Sequence, residues 1–428
     1  MALLASRGGA GVPVSDAELR SMLVELLEKL NKPLKKVLLI PPDHTRLNSY
    51  AGPITAMLYE MLTKKGAHVD VIPALGTHAA MGESELRMMF GDTIPMSAFR
   101  VHDWRNDVVE IGTVPAELVK EWSGGKLDYS IKAMVNKIVY DGYDLLLSIG
   151  QVVPHEVVGM ANYTKNIMVG IGGSDMINKS HFVGASCNLE TIMGRADSPV
   201  RRVFNYAVDN FLKDVPFCYI QTVRSRGKDG KMITDGVFAS CDESAFLAAC
   251  KLAQKTNLEL LDKPLKKVVV WLDPDEFKST WLGNKAVYRT RMAIADDGDL
   301  IILAPALKEF GEDREIDRLI RKYGYHGTPA TLKAVRENED IRGNLGAAAH
   351  LIHGSSEGRF RITYCPGPGM SREEIEKAGF QYGDLDEMLR RYPVKEMKDG
   401  MNVINGEEVF YISNPALGLW ALREKFQD

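Results

Sequence analysis

The pattern of apolar and polar positions alternates between helical spacing and short unbroken apolar runs along the chain. Residues 1–14 are rich in glycine and alanine, and we expect them to form a flexible arm. Ser15 and Glu18 then make a capping box, and leucines with helical spacing follow it as far as Leu30. Residues 37–40 are a continuous apolar run flanked by prolines, which is typical of a strand buried on both faces of a parallel sheet.

The same succession of a strand, a loop and a helix recurs through the first half of the chain. Strands are predicted at residues 69–75 and 145–149, and helices at residues 54–65, 83–90 and 131–140. Polar residues follow these strands, which is where doubly wound α/β folds carry their chemistry.

A short internal repeat divides the chain into two parts. The sequence KPLKKV occurs at residues 32–37 and again at residues 263–268, each time after an amphipathic helix and before an apolar strand. We interpret the second copy as the first strand of a second domain. The sequence therefore predicts two α/β, Rossmann-like domains with the active site in the cleft between them. The predicted segments are the flexible arm 1–14, an N-terminal domain 15–262 that carries the cofactor loop, a C-terminal domain 263–413, and a closing helix 414–428 that could return to the first domain.

Composition narrows the class of protein further. The chain has 428 residues, of which 45% are hydrophobic and 26% charged, as expected of a soluble globular protein. A net charge of −4 gives no field that would recruit nucleic acid or an anionic membrane. The five cysteines form no Cys-x-x-Cys pair and are expected to be reduced. No apolar run approaches the ~18 residues that a membrane span needs, so we expect a cytoplasmic protein with no membrane or nucleic-acid partner.

The strand at residues 145–149 leads into the stretch with the most candidate chemistry, residues 153–181. It contains His155, Lys165 and His181, whose spacing fits a folded loop rather than one face of a helix. Lys165 lies among apolar residues, where partial desolvation would make its amine nucleophilic, although a surface lysine is an equal alternative. His78, His102 and His155 follow predicted strands, and each could instead be an ordinary core or surface histidine. Two histidines that approach one carbon from opposite sides would suit acid/base chemistry on both faces.

Other motifs leave their alternatives open. Arg46 follows the first strand and could clamp a carboxylate or a phosphate, or form a salt bridge with Asp43. The glycines at residues 170–173 resemble a phosphate-binding loop but lack both the GxGxxG and the GxxxxGK[ST] spacing. His350 and His353 are more consistent with a helix face than with a metal site.

These residues, taken in order, resemble the nickel-pincer cofactor-dependent lactate racemase family. The resemblance rests on DHTR at residues 43–46, GTH at residues 76–78, His102, PH-x9-K-x15-H over residues 154–181, and Lys285. It covers most of the chain, and the His-x9-Lys-x15-His spacing is its most specific part.

The resemblance implies a two-domain racemase or epimerase of 2-hydroxy acids. Its cofactor would be the nickel-pincer nucleotide (pyridinium-3-thioamide-5-thiocarboxylic acid mononucleotide), attached covalently to Lys165 and holding Ni(II), with His181 as the protein's nickel ligand. His102 and His155 would be the two acid/base residues, and the α-hydrogen of the substrate would leave as hydride to the cofactor. The residues expected near the cofactor or its phosphate are Asp43, Thr45, Gly76, Thr77 and His78. Accessory proteins that synthesise the cofactor would be maturation partners.

The substrate region departs from the family's lactate enzyme. Arg46 and Lys285 would hold the substrate carboxylate, but Trp281-Leu282 stands where that enzyme has Tyr-Gln, and residues 157–164 also differ. Asn162 and Tyr163 add polar groups suited to a substrate with more hydroxyls, because an unpaired buried donor costs about 1–3 kcal/mol. We therefore expect a 2-epimerase of a sugar acid of the gluconate or mannonate type. The alternatives are a racemase of lactate or another short or aromatic 2-hydroxy acid, with Trp281 packing a phenyl ring, and a non-catalytic cofactor- or ligand-binding homologue.

Overall fold

The computed structural model describes residues 3–227, 231–416 and 418–426, and it divides the chain into two compact units. The first unit comprises Met1–Val183 and Thr191–Asn257, and the second comprises Gly184–Glu190 and Leu258–Asp428. The sequence predicts the boundary at residue 262, a few residues after the observed boundary at Asn257. It does not predict that Gly184–Glu190 clusters with the second unit. Each unit contains a largely parallel sheet with helices, which confirms the prediction of two α/β domains.

The first part of the chain contains both long core strands and short strands that pair only locally. The strands are β1 (Ala5–Gly8), β2 (Lys36–Ile40), β3 (His68–Val71), β4 (Val108–Val114), β5 (Ile131–Asn136), β6 (Leu145–Gln151), β7 (Pro154–His155), β8 (Gly159–Met160), β9 (Phe217–Arg226) and β10 (Met232–Ser240). The α-helices are α1 (Asp16–Lys29), α2 (Ala51–Lys64), α3 (Glu83–Phe90), α4 (Ala116–Trp122), α5 (Ser174–Ser186), α6 (Leu189–Ile192), α7 (Pro199–Phe211) and α8 (Ser244–Thr256). Shorter 3-10 or π-helical turns lie at His44–Ser49, Met96–Ala98, Lys137–Tyr140 and Asn166–Gly170.

The main sheet of the first unit has the strand order β1-β10-β9-β6-β2-β3. Strands β3, β2, β6 and β9 run parallel, while β10 and β1 are antiparallel additions at one edge. The parallel strands β2 and β6 are almost entirely buried, as their unbroken apolar sequences predict. Their carboxyl ends therefore open at one edge of the sheet, where the loops after β2, β3 and β6 meet.

The second part of the chain builds its own sheet in the same manner. Its strands are β11 (Glu259–Leu261), β12 (Leu265–Trp271), β13 (Ile294–Ala304), β14 (Arg361–Pro366), β15 (Gln381–Tyr382), β16 (Gly400–Ile404), β17 (Glu407–Ile412) and β18 (Trp420–Leu422). Its α-helices are α9 (Thr280–Gly283), α10 (Lys285–Tyr288), α11 (Arg314–Tyr323), α12 (Gly327–Glu337), α13 (Glu339–Arg342), α14 (Leu345–His353), α15 (Arg372–Lys377) and α16 (Leu385–Arg391). The sheet order is β15-β14-β13-β12-β17-β16. The two copies of KPLKKV lead into β2 and β12, which both lie inside their sheets.

The flexible arm predicted for residues 1–14 is instead partly a strand. Within the described part of that segment, Ala5–Gly8 pairs antiparallel with β10, and Arg7 forms an ion pair with Glu25 of α1. Glycine and alanine are compatible with a strand here because β1 is a short edge strand. Its backbone, rather than its side chains, makes the pairing with β10. Residues 1–2 lie outside the described residues.

The helix predicted over residues 131–140 is also wrong. Ile131–Asn136 forms β5, paired antiparallel with β4, and only Lys137–Tyr140 is a 3-10 turn. The side chains of β5 alternate between buried and more exposed positions, and this period of two outweighs the helical reading.

The closing helix predicted over residues 414–428 is a strand and a turn. Trp420–Leu422 is fully buried and pairs parallel with β11 of the second unit, and a 3-10 turn follows at Arg423–Phe426. Residues 417, 427 and 428 of this predicted helix lie outside the described residues.

Two further findings bear on the composition argument. Cys218 of β9 and Cys241, which directly follows β10, are bonded as a disulfide, so the expectation of reduced cysteines is wrong for this pair. Cys250 and Cys365 are buried free thiols. None of the helices in the described segments is long and apolar enough to cross a membrane.

Candidate active site

A cavity of about 280 Å³ lies at the carboxyl ends of the parallel strands of the first unit. The loops that follow β2, β3 and β6 supply most of its wall, as expected for an α/β sheet. The predicted site residues that line it are Asp43, Thr45, Arg46, Gly76, Thr77, His78, His155, Asn162, Lys165 and His181. The structure thus brings most of the sequence-predicted site into one place.

The loop from His155 to Lys165 is short and tightly folded. Pro154–His155 pairs with Gly159–Met160 in a small hairpin, and Asn162 and Tyr163 then adopt left-handed φ values of 65° and 57°. Such values are uncommon outside glycine and persist only where surrounding contacts hold them. This turn brings Lys165, at the start of the π-helical turn, back to the cavity that His155 lines.

His155 is held as a neutral imidazole. The backbone N–H of Val157 donates to its Nδ1 at 3.1 Å, which leaves the proton of the neutral ring on Nε2. Burial lowers the pKa of His155 well below its usual value, against the opposing effect of the Glu156 carboxylate. In this tautomer Nε2–H is the donor of the ring, and the ring can take up a further proton only when Nδ1 releases the Val157 N–H.

Lys165 has the amine of a potential nucleophile. Burial, followed by the nearby Arg46 guanidinium, lowers the pKa of Lys165 to about 8. A substantial fraction of the amine is then neutral near physiological pH, which an ordinary exposed lysine does not achieve.

His181 has the hydrogen bonding of a metal ligand. Its Nδ1–H donates to the carbonyl oxygen of Ile177, one turn earlier in α5, at 2.6 Å. This bond fixes the tautomer in which Nε2 carries a lone pair, the arrangement typical of metal-bound histidine. Burial, with Lys165 nearby, lowers the pKa of His181 to about 4, so the ring stays neutral. The described residues contain no group of three or more His, Cys, Asp or Glu side chains that could hold a metal ion.

Asp43 lines the cavity and forms hydrogen bonds with two other lining residues, Thr45 and His78. One carboxylate oxygen is 2.5 Å from His78 Nδ1, and the other accepts from the backbone N–H and the hydroxyl of Thr45. Burial tends to raise the pKa of Asp43, but these hydrogen bonds and the charge of Arg46 outweigh it and lower the pKa overall. The carboxylate pairs with His78 rather than with Arg46, whose guanidinium donates to Thr45 instead.

The glycines after Lys165 serve packing rather than phosphate binding. A Cβ on Gly172 would lie 1.9 Å from the carbonyl oxygen of Met168, and one on Gly170 would lie 2.7 Å from the Cβ of Ala74. The carbonyl oxygen of Gly170 accepts from the N–H of Gly76 at 2.8 Å, where Gly76 has a φ of +58°. Residues 170–173 therefore join the Lys165 segment to the loop of residues 76–78.

His102 does not line the cavity. It is 3% exposed, its Nε2 lies 3.1 Å from the carbonyl oxygen of Gly172, and the side-chain amide of Asn136 donates to its Nδ1 at 3.0 Å. Burial lowers the pKa of His102, so the ring is neutral, and its two nitrogens link Asn136 to Gly172. The sequence predicts that His102 follows a strand, but it follows the 3-10 turn Met96–Ala98, and its contacts with Asn136 of β5 and with Gly172 are remote in sequence.

The predicted substrate residues have different surroundings. Tyr163 is packed in the core against Tyr219 and Phe246 and does not line the cavity, because its left-handed backbone turns the ring inward. Asn162 lines the cavity, but its amide donates to Gln221 at 2.8 Å. Trp281 and Lys285 belong to the second unit, where Trp281 stacks on the ring of His350 at 4.3 Å and Lys285 begins α10.

The polar cavity residues that the sequence does not predict are Ser49, Gln151, Glu156 and Asn166. Glu156 directly follows His155, and this adjacency was the available signal. Asn166 donates to the carbonyl oxygen of Ile40 and to Ser148, and so ties the Lys165 turn to β2 and β6.

The fold and the cavity define a two-domain α/β protein whose first domain presents a buried lysine and neutral histidines at the ends of parallel strands. Residues 16–192 match the family described as the lactate racemase N-terminal domain. The match therefore identifies residues 16–192 as similar to this N-terminal domain.

Individual relatives agree with this assignment. A lactate racemase of Thermoanaerobacterium thermosaccharolyticum is 32% identical over 159 residues, which is 36% of this chain and only 34% of that relative. A crystal structure of a Thermotoga maritima protein superposes with a TM-score of 0.76 at 22% identity, covering 96% of this chain and 99% of its own. The lactate racemase apoprotein of T. thermosaccharolyticum superposes with a TM-score of 0.68 at 21% identity, covering 95% and 90%. These structural likenesses show a shared fold over both units.

Proposed function

We propose that this protein is an isomerase that racemises or epimerises a 2-hydroxy acid at C2. The observation that carries the proposal is that His155, Lys165 and His181 line one cavity, where burial lowers the pKa of all three side chains. The match of residues 16–192 to the lactate racemase N-terminal domain supports the same reaction class.

The residues of the cavity fit the nickel-pincer nucleotide that the resemblance implies. Lys165 has an amine suited to covalent attachment, and His181 offers an uncommitted Nε2 lone pair, a donor that suits nickel. The other nickel donors would come from the cofactor, which is consistent with a single histidine ligand from the protein. Asp43, Thr45, Gly76, Thr77 and His78 would surround the nucleotide part. When bound, the cofactor would supply an acceptor for the α-hydrogen as hydride.

The chain's own residues would bind the substrate and move the hydroxyl proton. Arg46 is exposed at the cavity and can hold the carboxylate bidentately. His155 would take up the proton of the 2-hydroxyl as a neutral base, which requires its Nδ1 to release the Val157 N–H. His102 stays a prediction as the second acid/base residue, and a role in proton transfer requires one of its two hydrogen bonds to break. Lys285 stays a prediction as a second carboxylate ligand.

For the substrate we propose a sugar acid, with lactate as the second candidate. Gln151 and Glu156 give the cavity polar groups that suit further hydroxyls, whereas Tyr163 no longer supports this choice. The named relative favours lactate. We propose a cytoplasmic location and maturation by cofactor-synthesising proteins.

The experiment uses protein made in cells that also produce the cofactor, with a panel of 2-hydroxy acids followed by chiral chromatography. We expect a stable mass adduct, one nickel per chain, and epimer formation with six-carbon aldonic acids. Turnover of lactate alone would overturn the sugar-acid proposal, and an adduct without turnover of any acid would favour a non-catalytic homologue. His155→Ala should abolish turnover while nickel is retained, and His181→Ala should lose nickel. The opposite result would mean that the two roles are exchanged.

A further inference from the structure

Helix α7 presents one face to the loop that carries His155 and Lys165. Ser198, Arg201 and Asn205 are spaced by three and four residues, which places them on the same side of a helix. Ser198 caps the helix and donates its hydroxyl to the carbonyl oxygen of Val158 at 3.0 Å. The hydroxyl of Thr164 donates to Asn205 at 2.7 Å.

Arg201 makes the central contacts of this face. Its Nη1 donates to the carbonyl oxygen of Asn162 at 3.1 Å and to the hydroxyl of Thr164 at 2.7 Å, and its Nη2 donates to the carbonyl oxygen of Met160 at 2.7 Å. The guanidinium is 2% exposed and lies 4.4 Å from the centre of the Phe246 ring. Each of these polar contacts goes to the six residues before Lys165.

Arg201 is an unusual charge for a protein core. Across residues 3–227, 231–416 and 418–426, no carboxylate pairs with it, and its acceptors are two carbonyl groups and a hydroxyl. Burial lowers its pKa to about 10, so it remains charged at neutral pH. A buried cation without an anion is costly, so its retention calls for a specific role.

That role follows from the backbone it contacts. Met160 ends the short strand β8, and Asn162 begins the turn with left-handed residues, where its carbonyl oxygen also accepts from the Lys165 N–H at 3.3 Å. We propose that Arg201 is a positioning residue that holds residues 160–164 in this turn and thereby sets His155 and Lys165 in the cavity. Its importance for catalysis rests on the proposed function, whereas its hold on the loop does not.

The first test measures the loop directly in the full-length protein without cofactor. Amide hydrogen exchange of peptides covering residues 158–165 is compared in wild type, Arg201→Met and Arg201→Lys. Loss of charge-assisted hydrogen bonds should accelerate exchange there by roughly tenfold or more in Arg201→Met, and Arg201→Lys should restore part of the protection. Unchanged exchange in Arg201→Met would overturn the proposal.

Two control variants lie on the same helix. Arg202 is exposed and pairs with Asp197, so Arg202→Met should leave exchange in the loop unchanged. Val203 is fully buried, so Val203→Ala should lower global stability without opening the loop selectively. If Val203→Ala opens residues 158–165 as much as Arg201→Met does, Arg201 is merely structural. If Arg201→Met does not fold, the exchange of residues 158–165 is compared in Arg201→Lys and Val203→Ala instead. Equal opening of this segment in the two variants would overturn the proposal.

The second test uses cofactor-loaded protein and reads the adduct fraction by intact mass together with kcat and KM. Arg201→Met should lose most of the adduct and of kcat, with partial rescue by Arg201→Lys and none of this loss in Arg202→Met. Normal loading and kcat in Arg201→Met would overturn the positioning role. If wild type carries no adduct on Lys165 but the exchange result holds, the proposed function fails while the hold of Arg201 on the loop stands.

Discussion

Burial sets the chemical character of the individual residues in the cavity. The pKa of Lys165 falls to about 8 and that of His181 to about 4, in both cases mainly because water is excluded from the side chain. A neutral amine is a nucleophile, and a neutral imidazole is a ligand. Arg46 keeps an exposed positive charge beside these groups, so an anionic substrate would meet its counter-charge at the cavity entrance.

The first residue-scale prediction concerns cofactor attachment. Lys165→Ala, made in cofactor-producing cells, should carry no mass adduct after denaturation, because the amine that would form the bond is gone. Lys179→Ala is the matched control, since Lys179 is on α5 and pairs with Asp175 outside the cavity. An adduct on Lys165→Ala would contradict the assignment.

The second residue-scale prediction concerns the pH at which Lys165 reacts. Only the deprotonated amine attacks an acylating reagent, so labelling should increase as the pH rises through about 8, the lowered pKa of Lys165. An ordinary lysine would show this increase near pH 10.4. Arg46→Ala should move the midpoint upward, because the guanidinium lowers the pKa. Peptide mass spectrometry of the cofactor-free protein measures the profile, and a wild-type midpoint near that of ordinary lysines would contradict the prediction.

The sequence predicts those helices and strands correctly in which the spacing of apolar residues shows which side chains are buried. The helix α1 begins at the expected capping box, and β2 and β6 coincide with unbroken apolar runs. Strands β1 and β18 were not predicted because their partners are remote in sequence, as in the pairing of Ala5 with Ala239. No local pattern reports such a partner. Likewise, spacing placed Lys165 and His181 in a common site, but only the fold shows that Tyr163 points into the core.

The element-scale prediction concerns the glycine segment after Lys165. Gly172→Ala should lower the free energy of unfolding by roughly 1–3 kcal/mol or more, because its Cβ would meet the Met168 carbonyl at 1.9 Å. Gly346→Ala in α14 is the control, because its Cβ would make only an ordinary contact, with Asn344 Oδ1 at 3.6 Å, and a gain of up to about 1 kcal/mol is expected. Urea denaturation followed by circular dichroism measures both. Equal stability of Gly172→Ala and wild type would show that the backbone relaxes freely there.

For the whole molecule, the repeated motif KPLKKV gave the correct architecture of two α/β units, and the predicted boundary differs by five residues. The motif is informative because each copy leads into a central strand with a buried apolar run, which a unit with its own core requires. The segment Gly184–Glu190 could not be assigned from sequence, since Glu190 clusters with the second unit through long-range ion pairs with Arg359 and Lys425.

The whole-molecule prediction concerns acid stability. Burial lowers the pKa of His350 to about 3, whereas an unfolded histidine has a pKa of about 6.5. Between these values the unfolded chain binds a proton that the folded protein does not, so stability is present above pH 6.5 and declines as the pH falls towards 3. At pH 4 the loss from this one group should be about 3 kcal/mol.

Urea unfolding at a series of pH values tests the contribution of His350. His350→Gln keeps an acceptor for the Tyr325 hydroxyl and should show a shallower loss of stability below pH 6.5 than wild type. The exposed His326→Gln serves as the control. Parallel curves for His350→Gln and wild type would contradict the prediction.

The inward orientation of the 160–164 turn has a practical consequence for protein engineering. Libraries that randomise this turn in search of new substrates would mostly disturb folding, because Tyr163 and Thr164 are buried and Arg201 holds the backbone. Diversity is better introduced at Gln151 and Glu156, which border the cavity outside residues 160–164. Substitutions at Gln151 and Glu156 should then change selectivity, whereas substitutions in residues 160–164 should lower the expression yield.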